Sequence, residues 1–489
     1  MSLLLAVIAG LAAASAFLVD DDLLRRKIVL APTFTHFLGV LGIWLAGVPV
    51  VEPGRILALD APGLLFLTVS SLVFLTASVA LSHSLATQST GHSRTLAFVF
   101  TASPRVFCSC FLFSLSMATV VCAARHFALL WVALEATTLA SAPLIFHPAH
   151  SRSLEAAWKY VLTCTVGMSL ALLGTMFLGV SASAAGDIPF TIDAVRAASP
   201  ALNVEWLKLA FLFILVGYGT KAGLAPFHMW LPDAYAEAPT IFPMISGALV
   251  NCALLAVLRV YSVICVAGGE TILFAQNLLV FFGLASIFGA TIHILRQEDF
   301  KRLLGYSTVE HMGLIVLGVG LGGVGVFGAL LHALNHGLAK AMLFIVAGNI
   351  AQSHSTRSVD AVRGMWGTLP GNAALWLFGL FAISGAPPFG LFVSELFIVK
   401  ATFDAQRYIL GGLALVFLTI IFVGMATVFV RMCFGEPETP PEDSRSVELP
   451  SNLAPAVALC AGLLLLGYYI PGPILRVIDS AAQILQGGG

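Results

Sequence analysis

The chain has 489 residues, of which 59% are hydrophobic and only 10% charged, with a mean hydropathy of +0.97. Soluble domains carry about 25% charged residues, so this composition excludes a soluble globular protein and defines a polytopic membrane protein. A formal net charge of −1 gives no overall field that would draw nucleic acid or an acidic partner.

A helix needs about 20 apolar residues to cross a bilayer. By that measure the sequence predicts an all-α polytopic fold with about 14 transmembrane helices: 2–19, 28–48, 61–82, 106–124, 127–146, 158–180, 205–228, 240–266, 271–294, 303–322, 325–350, 374–402, 408–433 and 453–471. The first has no basic residue before it, and Arg25-Arg26-Lys27 follow it. It therefore reads as a retained helix that starts outside, not as a cleaved signal. The segment GEPETPPEDSRSVELP after span thirteen is acidic and proline-rich, a solvated linker.

Basic residues orient the bundle. Loops after odd-numbered spans hold Arg25, Arg26, Lys27, Arg296, Lys301, Arg302, Arg357 and Arg363, among others. Loops after even-numbered spans hold mainly Arg55, Arg125, Arg196, Arg259, Arg407 and Arg476. The positive-inside rule puts the odd loops in the cytoplasm and both termini outside. Tryptophans at span ends, such as Trp44, Trp131, Trp158, Trp206 and Trp230, read as interface anchors.

Span seven carries the most informative stretch, FLFILVGYGTKAGLAPFHMWLPDAYAEAP, residues 211–239. It places Lys221 deep in the hydrocarbon, at a cost of roughly 2.5–3.5 kcal/mol on insertion scales. Pro226 then removes an amide donor and breaks the helix. A broken helix at membrane depth is tolerated only where protein or a water-filled cavity meets the freed groups. A charge beside such a break reads as an ion or proton site.

Other buried ionisable groups recur. Span five holds Glu135; span ten, LLGYSTVEHMGLIVLG, holds Glu310 and His311. In span eleven, His332, His336 and Lys340 follow an i, i+4, i+8 spacing that puts them on one face, a row roughly 12 Å long. Span twelve breaks at Pro387-Pro388 and then carries Glu395 and Lys400. Such a row suits proton relay, because burial moves lysine and glutamate toward neutrality, where a neighbour's charge decides occupancy. Histidine exchanges protons through either nitrogen. His228 and His293 read equally as hydrogen-bonded core residues, and Lys208 and Lys400 equally as interface lysines.

Metal ligation is not expected. The His332/His336 pair has zinc-like spacing, but a lysine shares its face and no matching Cys or Asp accompanies it. The eight cysteines, at 108, 110, 122, 164, 252, 265, 433 and 460, include no Cys-x-x-Cys pair. They read as small apolar packing residues. No G-x-x-x-x-G-K-[ST] loop is present, so nothing indicates ATP-driven transport.

An internal repeat is expected. Glu135 and Lys221 are 86 positions apart in spans five and seven, and Glu310 and Glu395 are 85 apart in spans ten and twelve. Spans seven and twelve are the two broken ones. Paired interrupted helices in two halves point to a midplane site of the transporter type. Units of five spans are odd-numbered, so tandem copies are inverted. The division is 1–105 for helices 1–3, 106–266 and 271–434 for the two repeats, and 453–489 for helix 14 and a tail.

The blocks KAGLAPFHMWLPDAYAEAP, DFKRLLGYSTVEHMG and LLHALNHGLAKAMLF resemble the proton-translocating antiporter-like subunits shared by respiratory complex I, Mrp-type antiporters and membrane-bound hydrogenases, over roughly residues 105–435. The resemblance implies fourteen helices, two inverted five-helix units and a hydrophilic axis along the membrane plane. It makes Glu135 and Lys221 the gate pair of the input half. It also matches His311, His332, His336 and Lys340 to relay positions, and Glu395 to the terminal ionisable residue of helix twelve. Helix eight departs from complex I members by offering Asn251 where a lysine or histidine is common. An amide orders water but does not ionise. Asn251 and the VEHMG wording look more like hydrogenase-4 component F. The chain also ends soon after span fourteen, without the long lateral helix of the largest complex I subunit.

The expectation is therefore a proton-translocating subunit of a hydrogenase-4-like or hydrogenase-related respiratory complex in a prokaryotic inner membrane. Its proton pathway runs through Glu135, Lys221, His228, Asn251, Glu310, His311, His332, His336, Lys340, Glu395 and Lys400. It holds no cofactor itself; nickel–iron and iron–sulfur centres belong to partner subunits. The expected partners are other membrane subunits, including further antiporter-like ones, peripheral oxidoreductase subunits, lipid, protons or sodium. The alternatives are an Mrp-type cation/proton antiporter subunit or a complex I antiporter-like subunit.

Overall fold

A computed structural model describes residues 1–47, 54–89, 103–436 and 450–488, with the side chains of 86–89 and 450–452 left out. Among the described residues the chain is helical throughout, with isolated bridges such as Leu57 to Ala124 pinning loop ends. The helices are α1 (Ser2–Leu18), α2 (Asp22–Ala46), α3 (Ala61–Ser89), α4 (Pro104–Ala123), α5 (Phe127–Phe146), α6 (Ser151–Ala182), α7 (Ile192–Ala197), α8 (Val204–Ala222), α9 (Trp230–Glu237) and α10 (Ile241–Ala267). They continue as α11 (Gly269–Ile294), α12 (Phe300–Leu321), α13 (Val324–His354), α14 (Met365–Thr368), α15 (Pro370–Ile383), α16 (Gly390–Asp404), α17 (Tyr408–Phe434), α18 (Pro450–Tyr468) and α19 (Gly472–Leu485).

Ten of these are long and apolar enough to cross a bilayer. Three expected spans fall short of that measure for visible reasons. The helix α1 is 17 residues long, α8 carries Glu205, Lys208 and Lys221, and span twelve is divided between α15 and α16. The last expected span is α18, which bends 71° into α19. That final helix occupies the segment expected only as a tail. It is amphipathic, burying Val477, Ile478, Ala481, Ala482 and Leu485 against the bundle. Arg196 closes its C-terminal end on the carbonyls of Ile484 (3.2 Å) and Gly488 (2.9 Å). Most of the solvated linker, residues 437–449, lies outside the described residues, as do 90–102 with Arg94.

Position in the bundle follows exposure. The apolar windows of α12 and α13 are entirely buried, whereas those of α2 and α17 are 28% buried. So α12 and α13 form the centre, with α10 beside them, and α2 and α17 are peripheral. The central packing is tight because small residues let backbones meet. At Gly217 of α8 an added Cβ would lie 2.5 Å from the Gly167 carbonyl oxygen of α6.

Both expected breaks are present. Between α8 and α9, Gly223 takes a left-handed conformation (φ 82°), the Trp230 indole donates to the Thr220 carbonyl (2.9 Å), and the Ser286 hydroxyl accepts from Ala225 N–H (2.9 Å). Side chains thus satisfy the freed backbone groups, the condition for irregular backbone at that depth. Trp230 is therefore a buried structural donor and not an interface anchor. Between α15 and α16, tight turns do the same work, with Ala386 N–H donating to Phe381 O at 2.9 Å.

Candidate functional site

The break in span seven gives α8 a C-terminus inside the bundle, and Lys221 lies in its last turn. The negative end of a helix dipole favours a cation there. Its ammonium donates to the Leu134 carbonyl (2.6 Å) and to the Thr138 hydroxyl, both on α5. Glu135 lies on that same stretch of α5, close enough to feel the lysine's charge. Among the described residues no ion pair within 4 Å joins the two. Glu135 instead accepts a long bond from Thr165 (3.5 Å), and its Oε2 has no partner in the protein.

The second cluster spans α12, α13 and α16. His311 Nδ1 lies 2.9 Å from His332 Nε2, and His332 Nδ1 lies 2.9 Å from the Ser394 hydroxyl. His336 sits against His311, ring centres 5.1 Å apart, with neither nitrogen hydrogen-bonded within the protein. Glu395 follows Ser394, and its carboxylate lies over Gly385 at the helix break. Gly385 has a φ of 61°, and an added Cβ there would collide with that carboxylate. One ligand atom each from His311, His332 and Glu395 falls within 4.8 Å of the others. This is the one such metal-competent grouping among the described residues, and it crosses helices instead of following the i, i+4 pair the sequence offered.

Between the clusters, Asn251 of α10 donates to the Ala333 carbonyl of α13 (3.1 Å), leaving its Oδ1 unpartnered. One turn from it, Gly247 faces the stem of Lys340. Lys340 donates to the Leu304 carbonyl (2.8 Å) and is electrostatically linked to Glu310, one of whose oxygens is unpartnered. Glu310 is in turn electrostatically linked to Glu395.

Two expected pathway residues stand apart. His228 lies at the α8/α9 break beside His293 and Tyr306, with ring centres 6.1 and 6.3 Å away and both nitrogens unpartnered. Lys400 is exposed and pairs with Asp404 one turn on, the arrangement of an interface lysine. Sequence reasoning missed Thr138, Ser394 and Asn335. The first is three residues from Glu135 and the second adjacent to Glu395, so helical neighbourhood was their signal. Asn335 presses its amide against Gly390 at the start of α16. That approach has no signature in the sequence.

A separate charge cluster was also hidden. Arg259 lies inside α10, not in a loop, and together with Arg125 it binds Asp60 at the head of α3; Arg125 also holds Asp193. Burial opposes the Asp60 charge, but Arg259 and Arg125 outweigh it and hold the carboxyl at about 2. A second group closes α9, where Lys301 donates to the carbonyls of Ala236 (3.1 Å) and Ala238 (2.6 Å), and Arg357 binds Glu237 (3.1 Å). Both cations sit at a helix C-terminus, where the dipole favours them.

Two broken helices enclosing ionisable groups within an all-helical bundle are the architecture of ion-handling membrane proteins. The chain belongs to the NADH:quinone oxidoreductase/Mrp antiporter transmembrane family, which matches residues 124–422. It is 30% identical over 459 residues to a hydrogenase-4 component F homolog of Methylacidiphilum infernorum (isolate V4), covering 93% of each chain. It is 29% identical to hydrogenase-4 component B of Escherichia coli (strain K12), covering 68% of this chain and 52% of that one. In fold it is similar to a chain of the Mrp complex from Dietzia sp. DQ12-45-1b, with a TM-score of 0.82 at 20% identity over 99% of this chain and 97% of that one. A chain of respiratory complex I from Thermus thermophilus matches with a TM-score of 0.79 at 22% identity over the full length of both.

Proposed function

We propose that this chain is the proton-translocating membrane subunit of a hydrogenase-4-like or hydrogenase-related respiratory complex of a prokaryotic inner membrane. The observation that carries this reading is the run of ionisable groups without ion pairs, from half-buried Glu135 and buried Lys221, past Asn251, to buried Lys340, Glu310 and the three histidines and half-buried Glu395. The likeness to hydrogenase-4 component F along 93% of the chain supports the assignment to that branch.

A proton enters at Glu135 and Lys221, whose hydrogen bonds to Leu134 and Thr138 hold the ammonium without neutralising it. Buried polar atoms without protein partners are met by ordered water in native proteins. Such water on Asn251 Oδ1, Glu310 Oε2 and His336 joins the segments that side chains alone do not bridge. The histidine pair then passes charge to Glu395, which releases the proton. Electron transfer in partner subunits, which hold the redox centres, drives the cycle through changes of charge along the file. Moving one charge against 100 mV needs about 2.3 kcal/mol. A hundredfold change in proton affinity supplies about 2.7 kcal/mol, so a modest electrostatic perturbation is sufficient.

The two halves, 106–266 and 271–434, act as inverted copies. Equivalent pairings support this: α4 packs on α5 as α11 packs on α12, and α6 packs on α8 as α13 packs on α15 and α16. Odd-numbered loops face the cytoplasm, and further antiporter-like subunits flank the chain in the membrane. The test is proton uptake by inverted membrane vesicles carrying the assembled complex, energised by its electron donor. Lys221→Met is expected to abolish uptake while assembly persists. Undiminished uptake in that variant sinks the reading, and uptake that requires sodium without any redox partner replaces it with the Mrp-type antiporter.

A further inference from the structure

We propose that His311, His332 and Glu395 form a reversible binding site for a transition-metal dication of the zinc class. The three side chains come from α12, α13 and α16, and each offers a ligand atom within 4.8 Å of the other two. Two imidazoles and a carboxylate are a donor set for zinc and its first-row neighbours. Magnesium and calcium select all-oxygen sites.

The hydrogen bonds around the trio prepare it for coordination. Ser394 donates its hydroxyl proton to the Leu391 carbonyl at 2.8 Å. In the tautomer that this bond favours, the Ser394 oxygen accepts from His332 Nδ1 at 2.9 Å, which leaves His332 Nε2 as a bare lone pair. A ligating histidine is oriented in this way, by an acceptor behind its second nitrogen. The lone pair points at His311 Nδ1, 2.9 Å away. His311 Nε2 is buried and has no partner in the protein, so the His311 proton can move there and free Nδ1 for the ion. No proton has to leave the pair.

Zinc–nitrogen bonds of about 2.0–2.1 Å at a tetrahedral angle hold two nitrogens about 3.3 Å apart. An ion that takes the place of the shared proton therefore opens the pair by only a few tenths of an ångström. Glu395 brings the anionic ligand and is only half-buried. An ion held there ties the half-helix α16 to α12 and α13 next to the Gly385 turn.

The test is titration of the purified full-length chain in detergent with Co2+, read as the visible ligand-field absorption of a tetrahedral nitrogen–oxygen site. The expected result is one equivalent bound and displaced by Zn2+. The signal is absent in His332→Gln and Glu395→Gln, and Ser394→Ala binds about 10–100-fold more weakly. His354→Gln, at the far end of α13, binds as wild type. Only variants with the wild-type melting temperature are scored, and Ser394→Ala, which removes one hydroxyl, keeps the test decisive if a ligand variant misfolds. No tetrahedral signal in the wild type, or equal affinity in wild type and Ser394→Ala, overturns the site. The titration reads binding with no proton gradient present, so its result is independent of whether the chain pumps protons.

Discussion

At the head of α3, Asp60 is clasped by Arg259 and Arg125, and Arg125 reaches Asp193 as well. At the inner end of α8 and within α12 and α13, the residues Lys221, Glu310, His336 and Lys340 are as deeply buried, yet among the described residues none of them has an opposite charge within 4 Å. The two regions use the same kinds of side chain for opposite ends. A buried pair locks each partner's charge, because neutralising one strands the other. A buried group held only by carbonyls and hydroxyls keeps both charge states within reach of its neighbours. In the proposed reading, satisfied charge belongs to the scaffold, and unsatisfied charge to the pathway.

Substitutions separate the two. Asp60→Asn leaves Arg259 without its anion and Arg125 with Asp193 alone, and is expected to cost about 3–5 kcal/mol, read as a lower melting temperature in detergent. A drop of less than one kcal/mol would mean that the cluster is not a scaffold element. The same residue gives a pH dependence. Its carboxyl titrates near 2 in the fold and near about 3.9 unfolded. A depressed folded value contributes stability above the unfolded one, so that contribution is complete above about pH 4 and disappears as pH falls toward 2. An acid-unfolding scan should lose that step in Asp60→Asn.

Lys221→Met is the converse case. Replacing a buried ionic group by an apolar one of similar volume is often neutral or stabilising, so the melting temperature should hold or rise. Proton uptake should fall about a hundredfold or more, the scale of a lost acid–base group. A variant that unfolds instead would put Lys221 in the same class as Arg259. Smaller effects should follow at Gly385, where alanine takes a left-handed backbone angle and presses on the Glu395 carboxylate. That costs about 1–3 kcal/mol and should slow uptake while leaving the Asp60 cluster untouched. Smallest of all, Asn251→Ala loses one hydrogen bond, about 0.5–1.5 kcal/mol, and should slow uptake less than tenfold if water carries the link that its amide orders.

The amino-acid order alone determined the class, most helix positions and the two interruptions, because length in lipid, hydropathy and proline act locally. Span 127–146 coincides with α5, and Lys221, Glu135, Glu310 and Glu395 stood out because a charge inside an apolar run needs no three-dimensional knowledge to be noticed. Tertiary structure decided which of those charges are paired. Arg259 looked like a loop charge and Trp230 like a membrane anchor, yet Arg259 is turned inward by Asp60, far away in the chain, and Trp230 by folding back over the helix break onto Thr220. The histidines formed a row on one helix face in the sequence, while in space His332 bonds across to His311 and Ser394, and His336 packs against the His311 ring without a hydrogen bond in the protein. The amphipathic α19 was too short and too polar to register as a span, and only its docking on the bundle gave it a place. Periodicity along a helix is a property of the chain; which side chain meets which across helices depends on how the bundle closes.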